Sequence, residues 1–140
     1  MSLSSLDHCS IRTVKLDETR DFYVDLLGMK DGDRPDFPFP GAWLYIDGLA
    51  VVHLVGVDAE DPSGLQAYLG GDVDADSLDG SGAFDHIAFR AREPMTLMRR
   101  LKEEGYPFRE RQVPSMNLHQ VFVEDPNGIT VELNYWAEDQ

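Results

Sequence analysis

One pattern is written twice in this chain. Asp7-His8-Cys9-Ser10-Ile11-Arg12 is matched by Asp85-His86-Ile87-Ala88-Phe89-Arg90, an Asp-His pair with an arginine four residues after the histidine. Each run alternates in polarity and reads as a strand. After the first come Asp17-Glu18-Thr19-Arg20 and then Phe22, Tyr23, Leu26 and Leu27 at helical spacing, closed by Gly28. After the second come Glu93-Pro94, then Met95, Met98 and Leu101, closed by Gly105. Asp17 as N-cap, Pro94 at the first helical position and a glycine past each end are the expected punctuation. Each copy then finishes in strands. Ala42–Ile46 and Ala50–Val55 flank a turn at Asp47-Gly48, and Gln120–Val123 and Ile129–Asn134 flank a turn at Asp125–Gly128. A chain that repeats itself in this way is constrained to two like units of strand, helix and strands.

The two copies leave Gly56–Gly82 between them, 27 residues with seven acidic and no basic side chains. This segment reads as a solvated linker with one short helix near Leu65–Leu69. Its Asp72–Asp76 run resembles the start of a calcium loop. Ser77 stands where such a loop needs glycine, however, and Ala83 where it needs glutamate. The predicted organisation is module one over about 6–56, linker over about 57–82 and module two over about 83–136.

Composition narrows the partners. The 26 acidic and 12 basic residues give a net charge of −14, and no basic stripe offsets a field that repels nucleic acid. No apolar run approaches the ~20 residues of a bilayer span, and the start of the chain lacks signal-peptide regions. A soluble, cytoplasmic protein is expected. Asp outnumbers Glu and Arg outnumbers Lys, which suits a salt-rich cell and equally a biased genome. Cys9 is the sole cysteine, so no intrachain disulfide forms; it reads as a small buried strand residue.

The polar residues of the repeat carry the chemistry. Val51, His53 and Val55 share one strand face; Thr130, Glu132 and Asn134 share the corresponding face of the second copy. A carboxylate between Val131 and Leu133 is costly to bury without a partner. The distance from His8 to His53 is 45 residues and from His86 to Glu132 is 46. If a pseudo-twofold axis relates the copies, these four residues converge, and three imidazoles with one carboxylate suit Fe(II), Mn(II), Ni(II), Co(II) or Zn(II). His119 is the leading additional acid–base candidate, since its ordinary pKa lies nearest neutrality. Tyr45, Arg12, Arg90, Arg109 and Arg111 are supporting candidates. Arg12 and Arg90 are placed to meet an anionic substrate or to pair with Asp7 and Asp85. Phe37 and Phe39, in the proline-rich stretch Arg34–Gly41, wall either an apolar pocket or a contact with a second chain.

Asp7-His8, Phe22-Tyr23-x-x-Leu26-Leu27-Gly28-Met29, Asp85-His86-Ile87-Ala88-Phe89 and Val123–Gly128 leading into Val131-Glu132-Leu133 together resemble the vicinal oxygen chelate superfamily, and within it glyoxalase I-like proteins most. The resemblance runs from about Leu6 to Tyr135. It implies an α+β fold of two paired βαβββ modules, forming a half-open, barrel-like sheet around a metal site. It also implies a homodimer acting on a small molecule. Carried over, His8, His86 and Glu132 fall at metal-holding positions. The fourth ligand of the glyoxalases is usually glutamate, and here it is His53, which leaves Glu132 as the ligand carboxylate able to shuttle a proton. The implied activity is a metal-dependent lyase or isomerase acting on a small α-oxygenated compound, with a thiol such as glutathione as cosubstrate. The alternatives are an extradiol-type ring-cleaving dioxygenase and a non-catalytic drug- or metabolite-binding protein like the bleomycin resistance proteins.

Overall fold

A computed structural model describes residues 5–58, 60, 79–82 and 84–140. The predicted linker helix and the Asp72–Asp76 run lie outside the described residues. The chain divides into two compact units, Met1–Leu78 and Asp79–Gln140.

The first unit runs β1 (Cys9–Thr13), α1 (Leu16–Asp21), β2 (Lys30–Gly32), β3 (Gly41–Ile46) and β4 (Leu49–Gly56), with the sheet ordered β1-β4-β3-β2. The second repeats it as β5 (His86–Arg90), α2 (Pro94–Glu104), β6 (Phe108–Val113), β7 (Leu118–Glu124) and β8 (Thr130–Tyr135), ordered β5-β8-β7-β6. Both are βαβββ units, as the repeat predicts. In each, the first strand pairs in parallel with the last and the other pairs are antiparallel. The parallel pairing follows from the helical crossover, which returns the chain along the same direction.

Asp47-Gly48 closes the β3–β4 hairpin with both residues at positive φ, 49° and 81°, the conformation a two-residue turn needs to match strand twist. The register then shifts at Leu44/Tyr45, leaving Val51 as the extra residue of a bulge.

Two helical details differ from expectation. Asp17 is not the cap of α1: the helix starts one residue earlier, and Asp17 sits in its first turn. Buried threonines fix that start instead. The backbone N–H of Lys15 donates to Thr13 Oγ1 at 2.8 Å, and Thr19 Oγ1 donates to the Lys15 carbonyl at 2.7 Å. Beyond Asp21 the helix widens into a π turn over Phe22–Leu26, burying Phe22, Tyr23 and Leu26 together. In α2, Leu97 rather than Met95 joins the core, because Pro94, Leu97, Met98 and Leu101 share one stripe while Met95 is exposed.

Leu44, Val52 and Leu54 anchor the first core, and Leu101, Val121 and Val131 the second, all with essentially no exposure. Each such side chain contributes roughly 1.5–3 kcal/mol of burial. Tyr135 is also buried, and burial pushes its phenol up to about 12. A raised folded pKa gives stability that is full below the ordinary value of 10.0 and is lost as pH rises toward 12. Tyr135→Phe should therefore narrow that alkaline loss. Urea midpoints that fall identically in both proteins between pH 10 and 12 would refute this.

Candidate metal centre

Each unit carries its ligand-type residues on one sheet face. In the first, Ser10 lies beside His53 in the parallel ladder, so His8, two residues upstream, shares that face. Trp43 opposes His53 on the antiparallel side. The rings form a stack: His8 on His53 at 3.8 Å and His53 on Trp43 at 4.0 Å, each within 12° of parallel.

Hydrogen bonds set the tautomers. His8 Nδ1 donates to Asp7 Oδ2 at 2.6 Å, which turns Nε2 away from that carboxylate. His53 Nε2 donates to the Ala50 carbonyl at 3.1 Å, which leaves Nδ1 with its lone pair. The bulge at Val51 adjoins this bond, as bulges that re-aim side chains do. Burial, and then the neighbouring His8, hold the His53 pKa below its ordinary value, favouring the neutral ring a metal requires.

The second unit repeats the device. His86 Nδ1 donates to Asp85 Oδ2 at 2.6 Å, and its Nε2 lies 3.0 Å from Glu132 Oε2. Ala88 and Phe122 flank Glu132 in the ladder, while Val131 and Leu133 point into the core. Glu132 is only 8% exposed. The cost of burying it is offset by His86 and by Gln120, whose Nε2 donates to Glu132 Oε1 and, at 3.0 Å, to Asn134 Oδ1. The bond to Asp85 raises the His86 pKa, and Glu132 adds to the effect. In the protonated ring, Nε2 offers Glu132 a proton; a divalent cation is the natural replacement for that proton.

The donor set fits such a cation. Each Asp-His pair has the form in which a carboxylate holds the far nitrogen of a ligating imidazole, fixing its orientation. The predicted ligands stand as two pairs, His8 with His53 and His86 with Glu132, and among the described residues no group of three or more metal-type side chains comes together.

The other candidates divide. His119 does not join Glu132. It faces the opposite side of β7, buried, with Nε2 3.0 Å from Glu110 Oε2 and its ring 5.9 Å from that of Tyr135. One step of strand parity separates it from Gln120, which does reach Glu132 and which the sequence reading passed over. Arg90 pairs with neither Asp7 nor Asp85. It donates to Asp139 at 2.8 Å and Glu138 at 2.5 Å, near the end of the chain. Tyr45 donates its hydroxyl to the Asp33 carbonyl at 2.5 Å. Arg109 lies over the Phe122 ring at 4.5 Å, and Arg111 is exposed on the Gln120 face. Arg12, Arg34, Phe37, Phe39, Trp43 and His53 are among the residues lining a cavity of about 710 Å³ in the first unit.

This repeated fold coincides with that of a known family. Residues 5–133 match the model of the Glyoxalase/Bleomycin resistance protein/Dioxygenase superfamily, and the chain belongs to it. A lactoylglutathione lyase of Neisseria meningitidis is 29% identical over 127 residues, 89% of this chain and 86% of that protein. Among solved structures, the fosfomycin resistance protein FosX of Listeria monocytogenes superposes with a TM-score of 0.65 at 16% identity, over 94% of this chain and 93% of that one. TnmS3, an antibiotic binding protein from a Streptomyces species, gives 0.61 at 23% identity, over 96% and 97%. Those two likenesses speak to fold alone. No helix among the described residues is long and apolar enough to cross a membrane.

Proposed function

We propose that the chain is a metal-dependent lyase or isomerase of glyoxalase I type. It acts on a small α-oxygenated compound, with a thiol such as glutathione as cosubstrate. His8, His53, His86 and Glu132 are the residues that would hold the metal, one of Ni(II), Co(II), Zn(II), Mn(II) or Fe(II). The observation that carries the reading is the buried Glu132 facing an Asp-oriented His86, with the same Asp-His arrangement at His8. The similarity to a lactoylglutathione lyase supports it. When bound, the metal supplies Lewis-acid polarisation of neighbouring substrate oxygens.

The chain's own part is proton movement and orientation. The Glu132 carboxylate accepts the proton next to the substrate carbonyl and returns it to the adjacent carbon. Gln120 keeps it from rotating away. Asp7 and Asp85 hold the imidazoles in register. His119, on the other face, takes no part.

Elemental analysis with a substrate panel tests this. The purified protein should carry about one divalent metal per site and isomerise a glutathione hemithioacetal. Chelation should abolish turnover, and one of the five metals should restore it. Tight Fe(II) with oxygen uptake on catechols would replace the reading with the dioxygenase. A protein that takes up no metal and turns nothing over would replace it with ligand sequestration.

A further inference from the structure

We infer that the first-unit cavity is a recognition site for a flat apolar group that carries an anion, of which an aryl carboxylate is the simplest form. The inference deepens the proposed function, since it rests on reading the His8–His53 face as the face that meets substrate. It names what the remote end of that substrate is made of.

Charge is the first ground. The chain carries −14 overall, yet two arginines line this cavity. The carboxylate that also lines it, Asp7, is engaged by His8. Arg12 is exposed and makes no ion pair or hydrogen bond among the described residues. Arg34 uses one donor, Nη2, on the Phe39 carbonyl at 3.0 Å, while its Nε is buried with no partner among the described residues. A guanidinium has five donors in a planar fork suited to carboxylate, and leaving them unmade is costly.

Shape is the second. The Phe37 and Phe39 rings lie 2° from parallel with centroids 5.2 Å apart, and the Arg34 guanidinium carbon sits 5.2 and 5.5 Å from those centroids. Trp43 is 6.4 Å from Phe37 and continues into the parallel His53 and His8 rings. Gly41 permits this packing: a Cβ there would lie 2.4 Å from the Leu54 carbonyl oxygen and 3.1 Å from Arg34 Nη2. Flat faces of this kind favour stacking over aliphatic contact.

Spacing is the third. Arg12 is two residues beyond Ser10, which neighbours His53 in the ladder, or about 6.6 Å along the strand. One ring spans that interval, with its anion toward Arg12 and its other end toward the imidazoles.

The test is equilibrium binding to the metal-free full chain by calorimetry, with naphthoate, its neutral amide naphthamide, and acetate as probes. Naphthoate should bind most tightly, naphthamide at least about tenfold more weakly, and acetate not measurably. Arg12→Gln, a change at an exposed residue, should remove the preference for naphthoate over naphthamide and leave naphthamide binding unchanged. Phe37→Ala should weaken both aromatic probes. Equal binding of the acid and the amide, a preference that survives Arg12→Gln, or no aromatic binding by the wild-type chain would each overturn the inference. Metal uptake by the wild-type chain and Arg12→Gln, measured in parallel, separates this outcome from failure of the metal reading. Arg12 donates nothing to the proposed ligand set, so its variant should load metal normally.

Discussion

Glu132→Gln and His86→Ala are each expected to abolish stoichiometric divalent metal binding while leaving a folded protein. Removing even an outer partner of a metal ligand costs about 10–100-fold in affinity, and loss of a ligand itself costs more. Glutamine keeps the volume of Glu132 and still accepts from Gln120 through its amide oxygen, so the packing between Val131 and Leu133 persists. What vanishes is the negative charge opposite His86 Nε2. His86→Ala works from the other side: Glu132 keeps Gln120 and loses its oriented imidazole. Far-ultraviolet circular dichroism should match wild type in both variants. Full metal occupancy in either, by elemental analysis, would remove that residue from the ligand set.

His53 is expected to separate geometry from charge. His53→Ala should retain metal with weaker affinity, because His8, His86 and Glu132 remain. It should also change Trp43 fluorescence whether or not metal is present, since it deletes the ring stacked on the indole at 4.0 Å. If the proposed ligand set holds, His53→Glu would give the glyoxalase-like set that the sequence resemblance implies. A neutral imidazole leaves more net positive charge on a bound metal than a carboxylate does, so the wild-type site should acidify bound water more strongly. If proton shuttling by a ligand carboxylate limits turnover, His53→Glu should raise isomerase activity several-fold. Unchanged metal affinity in His53→Ala would place His53 outside the ligand set, leaving the fluorescence change as evidence of stacking alone.

The parts of this protein that the sequence made legible are those governed by short-range rules. Strand parity placed His53 with Val51 and Val55, and Glu132 with Thr130 and Asn134. Turn chemistry located Asp47-Gly48 and Gly128. The repeat made the second unit a check on the first. What escaped depended on partners distant in sequence or on a single step of parity. Arg90 finds Asp139 across 49 positions, a pairing no local pattern records. His119 and Gln120 are neighbours, and only the pairing of Phe122 with Glu132 decides which of them reaches the carboxylate. Asp17 was displaced as cap because Thr13 and Thr19 hold the turn from the buried side, a tertiary effect that outweighs capping preference.

The strand order also dictates a sequence of events in folding. In each unit the antiparallel hairpin closes over a short turn, whereas the first strand must find the last across about 40 positions. Loop-closure entropy makes the local pair the early one and the parallel pair the late one. The His8–His53 stack comes into being only with that final closure, so a metal held there would act on unfolding rather than on folding speed. Pulsed hydrogen exchange during refolding should show β3 and β4 protected before β1, and simultaneous protection of all three would contradict this order. The His8–His53 stack is then a latch on the first unit, formed at the step that the chain itself completes last.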